Sequence, residues 1–214
     1  MRHVFVETNW VVDYCAPAHQ RSLAAIELLR QAEAEKIKLH LPAPCLAEAR
    51  SVIRVKFQPK EAGRLREYLK WAKLEGHIAA SEEDATRRVI DQFEGLVKQD
   101  LDSLEERLQA LKEAKGLSVF PLSAEMLERS VWLTTERLDL KPFDNSILAA
   151  VLVRASELGR EKESDLAFCE LDGDLQPWDK NGHSKPALTR LYDDARVWVY
   201  GDFTMTTPEP PADW

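Results

Sequence analysis

Short apolar runs of strand length, each followed by a longer stretch with helical periodicity, recur along the chain and leave few folds open to it. His3 to Val6 reads as a short buried strand. Arg21 to Lys36 then repeats apolar residues at Leu23, Ala24, Ile26, Leu28 and Leu29, as one face of an amphipathic helix requires. Ile37 to Leu41 is the next strand, and Pro44, suited to a first helical turn, opens a helix that points Leu46, Ala49, Val52 and Ile53 inward. Leu117 to Leu122 supplies a third strand. A helix capped by Ser123 runs from it to about Leu138, and another begins near Pro142 and buries Ile147, Leu148, Val151, Leu152 and Ala155. Leu166 to Cys169 and Arg196 to Tyr200 are the last strands, separated by a Gly- and Asp-rich loop and a short helix near Ala187 to Tyr192. This alternation predicts an α/β fold with a central, mostly parallel sheet covered by helices.

A chain of 214 residues accommodates one substantial core plus an insertion. Residues 1–203 are expected to form that single domain. From about 59 to 115 the sequence is highly charged and lacks strand character. Phe93, Val97, Leu101, Leu104, Leu108 and Leu111 follow at steps of four and three, which predicts an inserted helical hairpin. So brief a stripe suits packing on the core better than a coiled-coil homodimer, the other use open to it. The Pro-rich tail, 204–214, is expected to be extended or disordered.

With 29 Lys and Arg against 37 Asp and Glu, the formal net charge of -8 excludes a protein that coats nucleic acid through bulk positive charge. Val4-Phe5-Val6 is too short for the apolar core of a signal peptide, and the longest uncharged apolar run is Ile147 to Val153, so neither export nor a membrane span is expected. Cys15, Cys45 and Cys169 lack the paired spacing of zinc or redox sites and read as buried thiols of a cytoplasmic protein. There is no Gly-rich phosphate loop, no dinucleotide fingerprint and no paired-histidine zinc spacing.

Four acidic constellations stand beside these elements: Glu7-Thr8-Asn9, Glu48, Asp144-Asn145 and Asp172-Gly173-Asp174. Ligands of open parallel sheets gather beyond the carboxyl ends of the strands, where Glu7 and the Asp172/Asp174 pair fall. Glu48 and Asp144 fall in the first turns of helices, where the helix dipole favours a negative charge and by itself explains an acid. Carboxylates drawn together from distant segments repel one another and become tolerable mainly around a divalent cation. Singly, each acid is an ordinary solvated or capping residue, and Asp-Gly-Asp is equally a turn whose Asp bonds nearby backbone amides.

Val4-Phe5-Val6-Glu7-Thr8-Asn9, Cys45-Leu46-Ala47-Glu48, Phe143-Asp144-Asn145-Ser146-Ile147-Leu148-Ala149-Ala150 and Phe168-Cys169-Glu170-Leu171-Asp172-Gly173-Asp174-Leu175 together resemble the PIN-domain family of ribonucleases, which includes VapC-type toxins. The resemblance covers most of residues 1–60 and 117–202. It implies a PIN-like three-layer α/β/α fold, one or two Mg²⁺ or Mn²⁺ ions, and endonucleolytic hydrolysis of RNA without a covalent enzyme intermediate. Asp144 and Asp172 would be core ligands, Glu7 a direct or water-mediated ligand, and Glu48 a ligand or the group orienting the nucleophilic water. Two departures stand out. The family's first acid is usually Asp, one methylene shorter than Glu7, and the Thr that commonly precedes the fourth acid is replaced by Cys169-Glu170-Leu171, so Asp172 and Asp174 both remain candidates for the metal.

Thr8 and Asn9 could hydrogen-bond the carboxylates or substrate, whereas Asn145 and Ser146 suit helix capping. An acidic centre that admits a polyanion needs local cations, and Arg50, Arg54, Lys56, Lys141, Lys180 and Lys185 are the candidates, although Lys and Arg also occupy ordinary exposed helix faces. Trp178 could stack on an unpaired base or simply pack beside Pro177. The partners implied are RNA and, by analogy with toxin-antitoxin pairs, an antitoxin protein. The alternatives are a catalytically weak PIN-like RNA- or protein-binding module and a phosphohydrolase of small esters.

Overall fold

A computed structural model of the chain describes residues 1–136, 138–161, 165–171 and 173–209. Five strands, β1 (Arg2–Phe5), β2 (Ile37–Pro42), β3 (Leu117–Phe120), β4 (Leu166–Cys169) and β5 (Val197–Tyr200), form one sheet in the order β3-β2-β1-β4-β5, every pair parallel. Such strands must be covered on both faces, which is why β4 and β5 are continuous apolar runs. The chain moves outward from β1 to β2 and β3, then crosses back to add β4 and β5 on the other side of β1. Right-handed crossovers in opposite directions put the helices of the two halves on opposite faces. Accordingly α1 (Thr8–Cys15), α2 (Leu23–Glu33), α3 (Pro44–Lys56) and α6 (Leu104–Lys112) pack in one group. In the other are α7 (Ala124–Thr135), α8 (Pro142–Arg160) and α9 (Pro186–Ala195), an arrangement compatible with α/β/α layering.

The strands and most helices lie within a few residues of their expected positions. Ser123 caps α7 as expected, its hydroxyl accepting from the Met126 N–H at 3.2 Å. Helix α1 is absent from the sequence expectation because its eight residues span about two turns, too short a window for a helical period to show.

The segment expected as one inserted hairpin is three helices: α4 (Lys60–Leu74), α5 (Ala80–Asp102) and α6. Helices α4 and α5 share a small cluster of Ala62, Leu69 and Ile90, whereas Leu104, Leu108 and Leu111 of α6 belong to the main core. The insertion is therefore shorter than 59–115, and α6 is part of the crossover that leads into β3. Between them they explain the long apolar stripe, since Val97 and the α6 leucines are buried while Phe93 stays partly exposed.

The start of the Pro-rich tail is also better organised than expected. The Asp202 carboxylate accepts from the backbone N–H groups of Thr204, Thr206 and Thr207, and the Trp198 indole donates to the Pro208 carbonyl at 3.0 Å. Residues 210–214 lie outside the described residues. All three cysteines are buried and free, as expected. Among the described residues no helix is long and apolar enough to cross a membrane.

Candidate functional site

The sheet order places the topological switch between β1 and β4, where connections leave in opposite directions and open a crevice. Phe5 pairs with Phe168 across these strands, so Glu7 and Glu170, each two residues further on, occupy matching positions at the carboxyl edge. Glu7 is buried and Glu170 is fully buried. The Glu170 N–H continues the ladder to the Tyr200 carbonyl at 2.9 Å, and Gln176 donates to the Glu170 carbonyl at 2.8 Å, closing the loop that follows. Glu170 carries no role in the sequence expectation. The signal that could have found it is the strand register, which the sequence does not display.

Glu7 is the N-cap of α1, and its carboxylate accepts from the Asn9 N–H at 2.8 Å, where the helix dipole also favours its charge. The next residue links two of the expected acids: the Thr8 hydroxyl donates to Glu48 Oε2 at 2.5 Å. Glu48 is half-buried, one turn into α3. Beneath them lies Cys45, whose thiol pKa is pushed up by burial and further by the charges of Glu7 and Glu48, against the hydrogen bonding with Thr8. Residues 40 apart in the chain thus share one small volume, with the Thr8 hydroxyl on Glu48 and the Asn9 backbone N–H on Glu7.

Asp144, half-buried, lies in the first turn of α8. The start of that helix is tied to the loop after β4 by Lys141, whose Nζ is 3.3 Å from Asp174 Oδ2. Lys185 donates to the Gly173 carbonyl and, at 3.4 Å, to that of Asp174, so the turn is held from two sides. Asp172 lies outside the described residues. Asp174 is exposed and engaged by Lys141. Asn145 and Ser146 do not cap α8, whose N-cap is Lys141. Their side chains bond the Leu140 carbonyl at 3.4 Å and the Pro142 carbonyl at 2.9 Å. A cavity of about 370 Å³ lined by Leu133, Leu138, Leu140, Pro142 and Asn145 adjoins this helix start.

The expected steering cations are differently placed. Arg50 Nε and Arg54 Nη2 lie 2.6 and 3.0 Å from the same Glu105 oxygen, clamping α3 to α6 and holding the Glu105 carboxyl below the ordinary range, Arg50 contributing most. Trp178 packs against the core and bridges to Ser184. Among the described residues no three His, Cys, Asp or Glu side chains are grouped so as to hold a metal ion. Glu7 and Glu48 both act on the Cys45 thiol, and their carboxylate oxygens are of the kind hard divalent cations take. No family model, curated protein or solved structure matches this chain.

Proposed function

We propose that this chain is a PIN-like, Mg²⁺- or Mn²⁺-dependent ribonuclease, a cytoplasmic endonuclease that hydrolyses RNA phosphodiester bonds at the carboxyl edge of its sheet. The observation that carries the reading is the hydrogen bond from Thr8 to Glu48, which brings an acid of α3 beside the N-cap Glu7 at the carboxyl edge of β1, with Glu170 just past the end of the neighbouring β4. Acids brought to one edge of a sheet repel one another. A shared cation offsets that repulsion.

In this reading Asp144 and Asp172 complete the ligand set with Glu7, and Asp174 shapes the turn through Lys141. Thr8 holds Glu48 in one orientation, ready to ligate or to direct the attacking water, and the Asn9 N–H does the same for Glu7. When bound, the cation supplies polarisation of the phosphate and a lower pKa for water. Of the expected cations, Lys141 stands at the helix start that carries Asp144, and in this reading it is the one that meets a phosphate. By analogy the activity would be that of the toxin in a toxin-antitoxin pair, with an antitoxin protein as partner.

A second reading, a catalytically weak RNA- or protein-binding module, draws on the engagement of Arg50 and Arg54 by Glu105, which turns them to a structural use. One experiment separates the two. Single-stranded RNA, single-stranded DNA and a small phosphate ester are incubated with the protein in Mn²⁺ or in chelator, alongside Asp144→Asn. RNA cleavage lost in chelator and in the variant is expected. Cleavage that survives both, or RNA binding without cleavage, overturns the assignment.

A further inference from the structure

Strand β5 closes one side of the sheet, and its outer edge is only partly used. The Glu170 N–H donates to the Tyr200 carbonyl at 2.9 Å, so in this parallel ladder Trp198 and Tyr200 turn their backbone groups to β4, and Val197 and Val199 turn theirs outward. At the carboxyl end the edge is taken, since the Gly201 N–H donates to the Thr207 carbonyl at 2.7 Å. Val197 and Val199 have no such partner among the described residues.

A cavity of about 260 Å³ runs along this free stretch, and its walls include Val197, Val199, Trp178, Trp198, Asp193 and Pro208. Both tryptophans are held in place. A Cβ at Gly201 would stand 3.4 Å from the Trp178 ring, the Trp178 backbone bridges to Ser184, and the Trp198 indole donates to the Pro208 carbonyl at 3.0 Å.

The edge says what enters. Two outward residues, about 7 Å of strand, are too few for an added peptide strand, which pairs over several residues. They match a ring. The Val197 carbonyl and the Val199 N–H set an acceptor beside a donor, and the Watson–Crick edge of adenine carries the complementary pair, an exocyclic amine beside a ring nitrogen. Indoles supply faces on which a base stacks. The exposed carboxylate of Asp193 keeps phosphate out of the cavity and admits an uncharged base. The loop that carries Trp178 also begins at the acidic edge: Asp174 lies four residues earlier, and Lys185 beyond it bonds the Gly173 and Asp174 carbonyls.

We propose that this cavity is a base-reading subsite, in which an unpaired adenine of single-stranded RNA stacks with Trp178 and Trp198 and pairs its Watson–Crick edge with Val197 and Val199. That the base belongs to a substrate rests on the nuclease reading; recognition of the base does not.

The test follows the indole N–H NMR signals of the full chain during titration with adenosine, in chelator so that no cleavage intervenes. Trp178→Phe and Trp198→Phe each assign one signal by its loss. Adenosine is expected to shift these two signals saturably at about millimolar concentration, with uridine weaker. Trp178→Leu should weaken adenosine on the order of ten-fold, read at Trp198, whereas Trp178→Phe keeps a stacking face and should stay within about three-fold. No shift of either indole up to about 20 mM adenosine, or equal affinity in the leucine variant, overturns the proposal. Choline shifting the same signals more strongly than adenosine overturns it too, making an organic cation at Asp193 the ligand. Adenosine binding without RNA cleavage supports the base site and overturns the nuclease reading; cleavage without adenosine binding does the reverse.

Discussion

Replacing Thr8 with Val removes one hydroxyl from the centre of the acidic edge and keeps a β-branched side chain of similar size. Thr8 is 6% exposed and its hydroxyl donates to Glu48 Oε2 at 2.5 Å, so the valine leaves a half-buried carboxylate without that donor. Hydrogen bonds to charged groups contribute about 1.5–3 kcal/mol. Glu48 can rotate its head towards water, which puts the loss near the lower end, about 1.5 kcal/mol, and at ~2–4 °C per kcal/mol for a chain of this size the melting temperature should fall by about 3–6 °C. The second consequence is functional. If Glu48 belongs to a cation site, Thr8 orients it from outside, and loss of such a partner typically weakens metal affinity or activity by about 10–100-fold. The assay is thermal melting of wild type, Thr8→Val and Thr8→Ser over a Mn²⁺ titration, with RNA cleavage followed in parallel. Serine retains the donor and should restore both the melting temperature and the Mn²⁺ response. A valine variant that melts and responds to Mn²⁺ like the wild type would show that the Thr8–Glu48 contact neither stabilises the fold nor prepares the site.

Leu104→Ala should cost about 2–5 kcal/mol, because Leu104 is fully buried in the main core, whereas Leu65→Ala on the exposed hairpin should stay within about 0.5 kcal/mol; urea melts compare them, and equal costs would contradict the boundary between α5 and α6. His40, hydrogen-bonded to His3 at 2.9 Å, has its pKa lowered to about 3 by burial, with the neighbouring charges of His3 and Arg154 adding. The folded state therefore keeps His40 neutral while the unfolded chain takes up a proton below about pH 6.5, so stability is lost as pH falls from there towards 3. The expected loss between pH 7 and pH 5 is about 2 kcal/mol, which His40→Gln should remove; a variant with the wild-type pH slope would place the linkage elsewhere.

The alternation of strands and helices was legible because burial on both faces writes itself as the apolar runs of β4 and β5, and one-sided burial as the period of α2. Helix α1 escaped because eight residues are too few for a helical period to declare itself, and the limit between α5 and α6 escaped because one apolar stripe continues through both. For the candidate site, the acids could be named at strand ends and helix starts, but their neighbours could not. That Thr8 serves Glu48, that Arg50 and Arg54 serve Glu105, and that Glu170 stands level with Glu7 are pairings across tens or more than a hundred residues.

From its own order of residues, then, the chain settles which segments become strands and helices and where acids punctuate them, since periodicity and capping act over a turn or two. Sheet order is a different matter. Whether β4 adds beside β1 or beyond β3 is decided by crossover handedness and by which faces remain to be covered, and that choice sets Glu170 level with Glu7 across neighbouring strands. Local interactions reach a few residues along the chain, while carboxylate repulsion and hydrogen bonding reach only a few ångströms through space, so the chemistry of this edge exists only once the tertiary structure has formed.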